Sequence, residues 1–105
     1  MQDTPIKDSL DSLVKALCAD YPRREKIILS AVADTRVDNE LRYLNYKIFS
    51  AVSEIVGEAH APIYINEIGN SVGYAKSKLY SYSEGLYKHY KWLIKKNIAK
   101  HLHLM

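Results

Sequence analysis

From Ile6 to Leu102 the apolar residues recur mostly three and four apart, and no stretch alternates apolar and polar residues for more than a few positions. That stride is the signature of amphipathic helices. Ile6, Leu10, Leu13, Val14 and Leu17, with Cys18 beside them, form a first stripe. Thr4-Pro5 opens it, since threonine caps and proline is tolerated at the first helical position. Tyr21-Pro22 closes it, because the residue before a proline avoids the α region. Pro22 starts a second, shorter helix, PRREKIILSAVA, whose Ile27-Ile28-Leu29 run is too continuous to reveal a buried face.

Thr35 and Asp38 form a capping box for a third segment, with aspartate in place of the usual glutamate. Val37, Leu41, Leu44, Ile48, Ala51 and Ile55 then follow at spacings of four, three, four, three and four, and Gly57 terminates the helix. This seam reads as the central core helix of a bundle or as a dimer seam over 37–55, and Tyr43, Tyr46, Phe49 and Val52 widen its apolar surface. Pro62 begins a fourth helix, IYINEIGNSV. Beyond Gly73, Leu79, Tyr82, Leu86, Tyr90, Leu93, Ile94, Ile98 and Leu102 hold a helical stride with no proline between them. The pattern predicts one long terminal helix from Ala75 to about Leu102, bent near Gly85, where a helical glycine costs about 0.5–1 kcal/mol. Ser81 and Glu84 offer the competing possibility of a separate helix that starts there.

The fold class is therefore all-α: a single small helical bundle of 105 residues with N-terminal helices over 1–57 and a helix-turn-helix and long basic helix over 62–102. There is no apolar run near the roughly 18 residues of a membrane span, and the acidic, polar start MQDTPIKDSL is unlike a signal peptide, so a cytoplasmic location is expected. Cys18 is the sole cysteine, which excludes an internal disulfide or a paired-cysteine zinc site and fits a small buried residue.

Charge changes the picture more than composition does. From Met1 to Gly73 eight basic residues stand against eleven acids, a net −3. From Tyr74 onward seven lysines stand against Glu84 alone, a net +6. Such asymmetry points to a polyanion at the basic end. The stretch Ile65–Glu84, INEIGNSVGYAKSKLYSYSE, places a glycine where two crossed helices would turn, with Gly73 at the corner in a left-handed conformation and Gly69 small where the two helices would touch. Lys76, Ser77, Tyr80 and Ser81 would share the outer face of the second helix, the arrangement that enters a major groove. Lys76, Ser77 and Tyr80 are the candidates for base edges, Ser81 for base or phosphate, Lys78 and Lys88 for phosphate, and Asn70 and Ser71 for the rim of the groove. Tyr74, Tyr82 and Tyr90 fall on the inward stripe, and Tyr80 and Tyr87 fall off it, within reach of a phosphate, sugar or base. Ala75 stands where serine or threonine would cap the recognition helix, an omission worth about 1 kcal/mol.

The string Ile65–Leu79 resembles the helix-turn-helix of region-4-like sigma factors, and Tyr80–Ile98 is similar to the tyrosine- and lysine-containing tail of small phage late-gene regulators of the ArpU/RinA type. The resemblance covers roughly residues 37–100 through EIG, then GY, then a Tyr/Lys-rich helix, and departs from the pattern at Gly69, Ala75 and Gly85. It implies a phage or prophage transcription regulator that binds double-stranded promoter DNA, with RNA polymerase a further candidate partner and a homodimer left open. No nucleophile elbow, phosphate-binding glycine loop or ligand cluster suggests an enzyme, a cofactor or a metal. His101 and His103, two apart, suit a helix C-terminus better than a metal site, and His60 and His89 could touch phosphate. The competing reading is a protein-interaction module whose basic C-terminal helix binds an acidic protein partner.

Overall fold

Five α-helices and one 3-10 turn make up the computed structural model, which describes residues 8–30, 35–79 and 82–105, with the backbone alone for 35–38. No strand occurs among the described residues, so the chain is an all-α bundle. Helix α1 runs Asp8–Ala19, α2 Tyr21–Ser30, α3 Thr35–Val56, α4 Ala61–Gly69 and α5 Glu84–His101. The proposed Thr4-Pro5 start lies outside the described residues, as do the side chains of the Thr35/Asp38 box.

Of the expected stripe Val14 is buried, as is Cys18 beside it, Leu10 and Leu17 are partly buried, Leu13 is 43% exposed and Ile6 lies outside the described residues; burial pushes the Cys18 thiol up to about 12. Only Asp20 separates α1 from α2, and the ambiguous run of α2 resolves with Ile28 inward and Leu29 83% exposed. A buried Arg24 pins α2 to its neighbours: Nε donates to Asn45 Oδ1 on α3 at 2.6 Å, Nη2 to the Leu17 carbonyl at 2.5 Å and Nη1 to Asp20 at 3.2 Å. Asn45 Nδ2 in turn donates to Glu25 Oε1 at 2.9 Å.

Helix α3 is the axis of the bundle and packs against α2, α4 and most heavily α5. Ile48 and Ala51 are fully buried inside the chain, so this part of the seam is closed by the protein's own helices and cannot be a dimer seam. The physical reason is that α4 and α5 cover the side of α3 that carries them. Gly57 stops α3 with φ +85°, a left-handed value that any side chain would strain. Pro62 then occupies the first turn of α4. Val14, Cys18, Ile48, Val52, Tyr64, Ile68, Ile94 and Ile98 belong to one continuous core. Gly69 is required small, as expected, but against a different neighbour: a Cβ there would lie 2.6 Å from the backbone nitrogen of Ala19, where α1 crosses α4. No helix among the described residues is long and apolar enough to cross a membrane.

Candidate nucleic-acid interface

The chain turns at the end of α4, two residues before the glycine expected to turn it. Val72 N–H donates to the Glu67 carbonyl at 2.9 Å and Ser71 N–H to the Ile68 carbonyl at 3.3 Å. These bonds close a helix-terminating turn with Ser71 in the left-handed region at φ 55°. Gly73 is extended instead, at φ −86° and ψ 169°, so the expected left-handed corner at Gly73 is corrected to Ser71.

No recognition helix follows among the described residues. Tyr74–Lys76 makes a single 3-10 turn, Ser77 is extended, and the next helix begins only at Glu84. Among the described residues the expected rod from Ala75 to Leu102 is thus an 18-residue helix over Glu84–His101, with a 3-10 turn at Tyr74–Lys76 and no helix at 77–79, and the helix-turn-helix corner is absent from them. Two local causes are visible. Ala75 has no oxygen with which to cap a helix, whereas Ser83 does: its Oγ accepts from Leu86 N–H at 3.1 Å and starts α5. The donors of 77–79 are also taken elsewhere. Ser77 Oγ donates to Glu67 Oε1 at 2.6 Å and accepts from Leu79 N–H at 2.8 Å, and Lys78 N–H donates to Glu67 Oε2 at 2.8 Å. Side-chain acceptors have replaced the helical ladder.

Glu67 is the residue that sequence reading missed. It is 2% exposed, and its carboxyl group also accepts from the Tyr87 hydroxyl at 2.8 Å, so that α4, the loop and α5 share one acceptor. The signal was present in its position: Glu67 stands three residues after Tyr64 and directly before Ile68, both fully buried. Tyr87, expected off the stripe and near phosphate, is instead buried under the loop, and burial together with the Glu67 bond pushes its hydroxyl up to about 12. Lys91 Nζ donates to the Val72 carbonyl at 2.9 Å from the same edge of α5, and burial holds this ammonium below its ordinary pKa. The expected inward tyrosines do pack on the core: Tyr74, Tyr82 and Tyr90 are half-buried, with the Tyr74 hydroxyl donating to the Tyr82 carbonyl.

The expected site residues separate into three groups. Ser77, 6% exposed and spent on Glu67, cannot reach a base edge, which corrects its assignment. Tyr80 and Ser81 lie outside the described residues. Asn70, Ser71, Lys76 and Lys78 are exposed along the turn and the loop, and Lys88 is exposed on the first turns of α5. Asn70 Nδ2 donates back into α4, to the Asn66 carbonyl at 2.8 Å, and Lys88 pairs with Glu84 at 3.3 Å. Lys95 pairs with Asp11 at 2.9 Å, and Lys96 lies 4.5 Å over the Trp92 ring. Among the described residues Lys76, Lys78, Lys96 and Lys100 have no carboxylate partner. His60 and His101 are engaged within the chain, with Tyr82 at 2.9 Å and Glu54 at 3.0 Å.

The loop therefore presents two unpaired ammonium groups on backbone that a buried acceptor fixes in place. This arrangement suits an anion with spaced oxygens better than a base edge. No protein-family model, no curated protein and no solved structure matches the chain.

Proposed function

We propose that this protein is a DNA-binding transcription regulator that grips duplex DNA through its phosphates, with Lys76 and Lys78 on the braced loop and the unpaired lysines of α5. The observation that carries this reading is the pair Lys76 and Lys78, exposed and without an acidic partner, on a loop held by Glu67. The net +6 from Tyr74 onward supplies the long-range attraction. A phage or prophage origin and contact with RNA polymerase belong to the same reading and rest on the resemblance of Ile65–Ile98 alone. With no α-helix over 74–79, sequence preference from this segment would come through DNA shape rather than direct readout by a groove-bound helix.

The test is binding to random duplex DNA across a range of salt. Each phosphate contact makes the slope of log K against log salt more negative by about 0.9, so Lys76→Ala with Lys78→Ala should reduce its magnitude by about 2. The same missing helix favours a second reading, in which these lysines meet an acidic protein surface. Absence of duplex binding even at low salt would select it.

A further inference from the structure

We propose that the face formed by α2 and the first half of α3 is where two copies of this chain meet about a two-fold axis. Leu29 is 83% exposed, and Tyr43 and Tyr46, three apart on α3, are 59% and 66% exposed. Single exposed apolar residues are ordinary, but a leucine and a tyrosine on the rim of one cleft, with a second tyrosine a turn away, form a patch. The cleft, of about 380 Å³, opens between the two helices with Ile28 and Asn45 on its buried side and Leu29, Arg42 and Tyr46 around it.

Two properties identify the occupant as a second copy. The patch carries a projection and a hollow side by side, Leu29 beside the cleft, and a two-fold contact needs both on the same surface. Its charges are of both signs, with Glu25 and Arg42 lining the cleft and Lys47 5.3 Å over the Tyr43 ring. A polyanion or a strongly basic partner would call for one sign. A copy rotated by half a turn returns the same mixture with the ends exchanged. Tyrosine and arginine are also enriched in protein interfaces. The contact surface lies beside the seam read from the sequence, because Ile48 and Ala51 are already covered within the chain.

Sedimentation of the full chain without DNA tests this apart from the DNA reading. The wild type should approach twice its 12.0 kDa chain mass as its concentration rises toward about 1 mM. Leu29→Glu and Tyr46→Glu, at exposed positions, should keep the helical circular dichroism and weaken association by about 30-fold or more. A cysteine introduced by Leu29→Cys or Tyr46→Cys should give disulfide-linked dimers on mild oxidation, since buried Cys18 is out of reach. A wild type that stays at 12.0 kDa up to about 1 mM, or dimers that survive both glutamate variants, overturns the proposal.

Discussion

Two charged side chains, Arg24 and Glu67, are buried among the described residues, and they do opposite jobs. Arg24 joins segments that are already regular, tying α2 to α3 through Asn45 and to the end of α1 through the Leu17 carbonyl. Glu67 joins segments of which one has no regular structure of its own, and its acceptors stand in for the ladder that the loop lacks. The helix pair would keep most of its backbone bonds without Arg24. Without Glu67 the loop would keep its short turn bonds, such as Lys76 N–H to the Gly73 carbonyl, but lose what ties it to α4 and α5. A buried polar group thus adds most where the backbone around it has no alternative partner.

The sharpest way to break this contrast is to remove both groups in turn. Glu67→Ala strands the Ser77 hydroxyl, the Lys78 amide and the Tyr87 hydroxyl, and should lower stability by about 3–5 kcal/mol in chemical denaturation. Arg24→Ala should cost less, about 1–3 kcal/mol, since Asp20 keeps its bidentate contact with Arg23. The reverse order would refute the comparison. Next comes the close crossing beneath the Glu67 region. Gly69→Ala forces a methyl onto the Ala19 backbone and should cost about 1–3 kcal/mol.

Gly73→Ala sharpens the location of the turn. Nothing lies within 4 Å of the added carbon and φ is negative, so stability should rise by about 0.4–1 kcal/mol. A loss there would mean a left-handed corner at Gly73 after all. The smallest effect is outside both regions. Hydrogen bonds from Asn97 and His101 hold the Glu54 carboxyl below its ordinary pKa. The stability that Glu54 contributes is therefore complete above the unfolded carboxylate value of about 4.3 and is lost as pH falls through the lower folded value. Thermal melts at decreasing pH should show a shallower acid decline in Glu54→Gln than in the wild type.

The helices were legible because their information is periodic. The stripe Val14–Cys18, the stop at Gly57 and the proline start of α4 each follow from one or two residues acting locally. The buried face of the second helix and its exposed Leu29 were not legible, since three consecutive apolar residues satisfy any face, and the expected stretch of that helix over 31–33 lies outside the described residues. The loop was misread for a different reason. Leu79 and Tyr82 keep a helical stride with α5, and yet Ser77 and Lys78 before them are held by a carboxyl group at least ten positions upstream. A stride records which residues turn inward, and irregular chain can turn residues inward at the same spacing. Ser83 could be recognised as a cap only once Ser77 was known to be committed elsewhere.

The Lys78 amide carries a consequence of its own. Amides in connecting chain ordinarily trade hydrogen with deuterated solvent as soon as the segment flickers open. This one ends on an oxygen of a residue enclosed between α4 and α5, and the other oxygen is claimed by Ser77 and Tyr87. Its exchange has to wait until the loop lifts off Glu67, so a proton in the middle of a loop should trade more slowly than its neighbours in connecting chain while the lysine side chain above it stays in water.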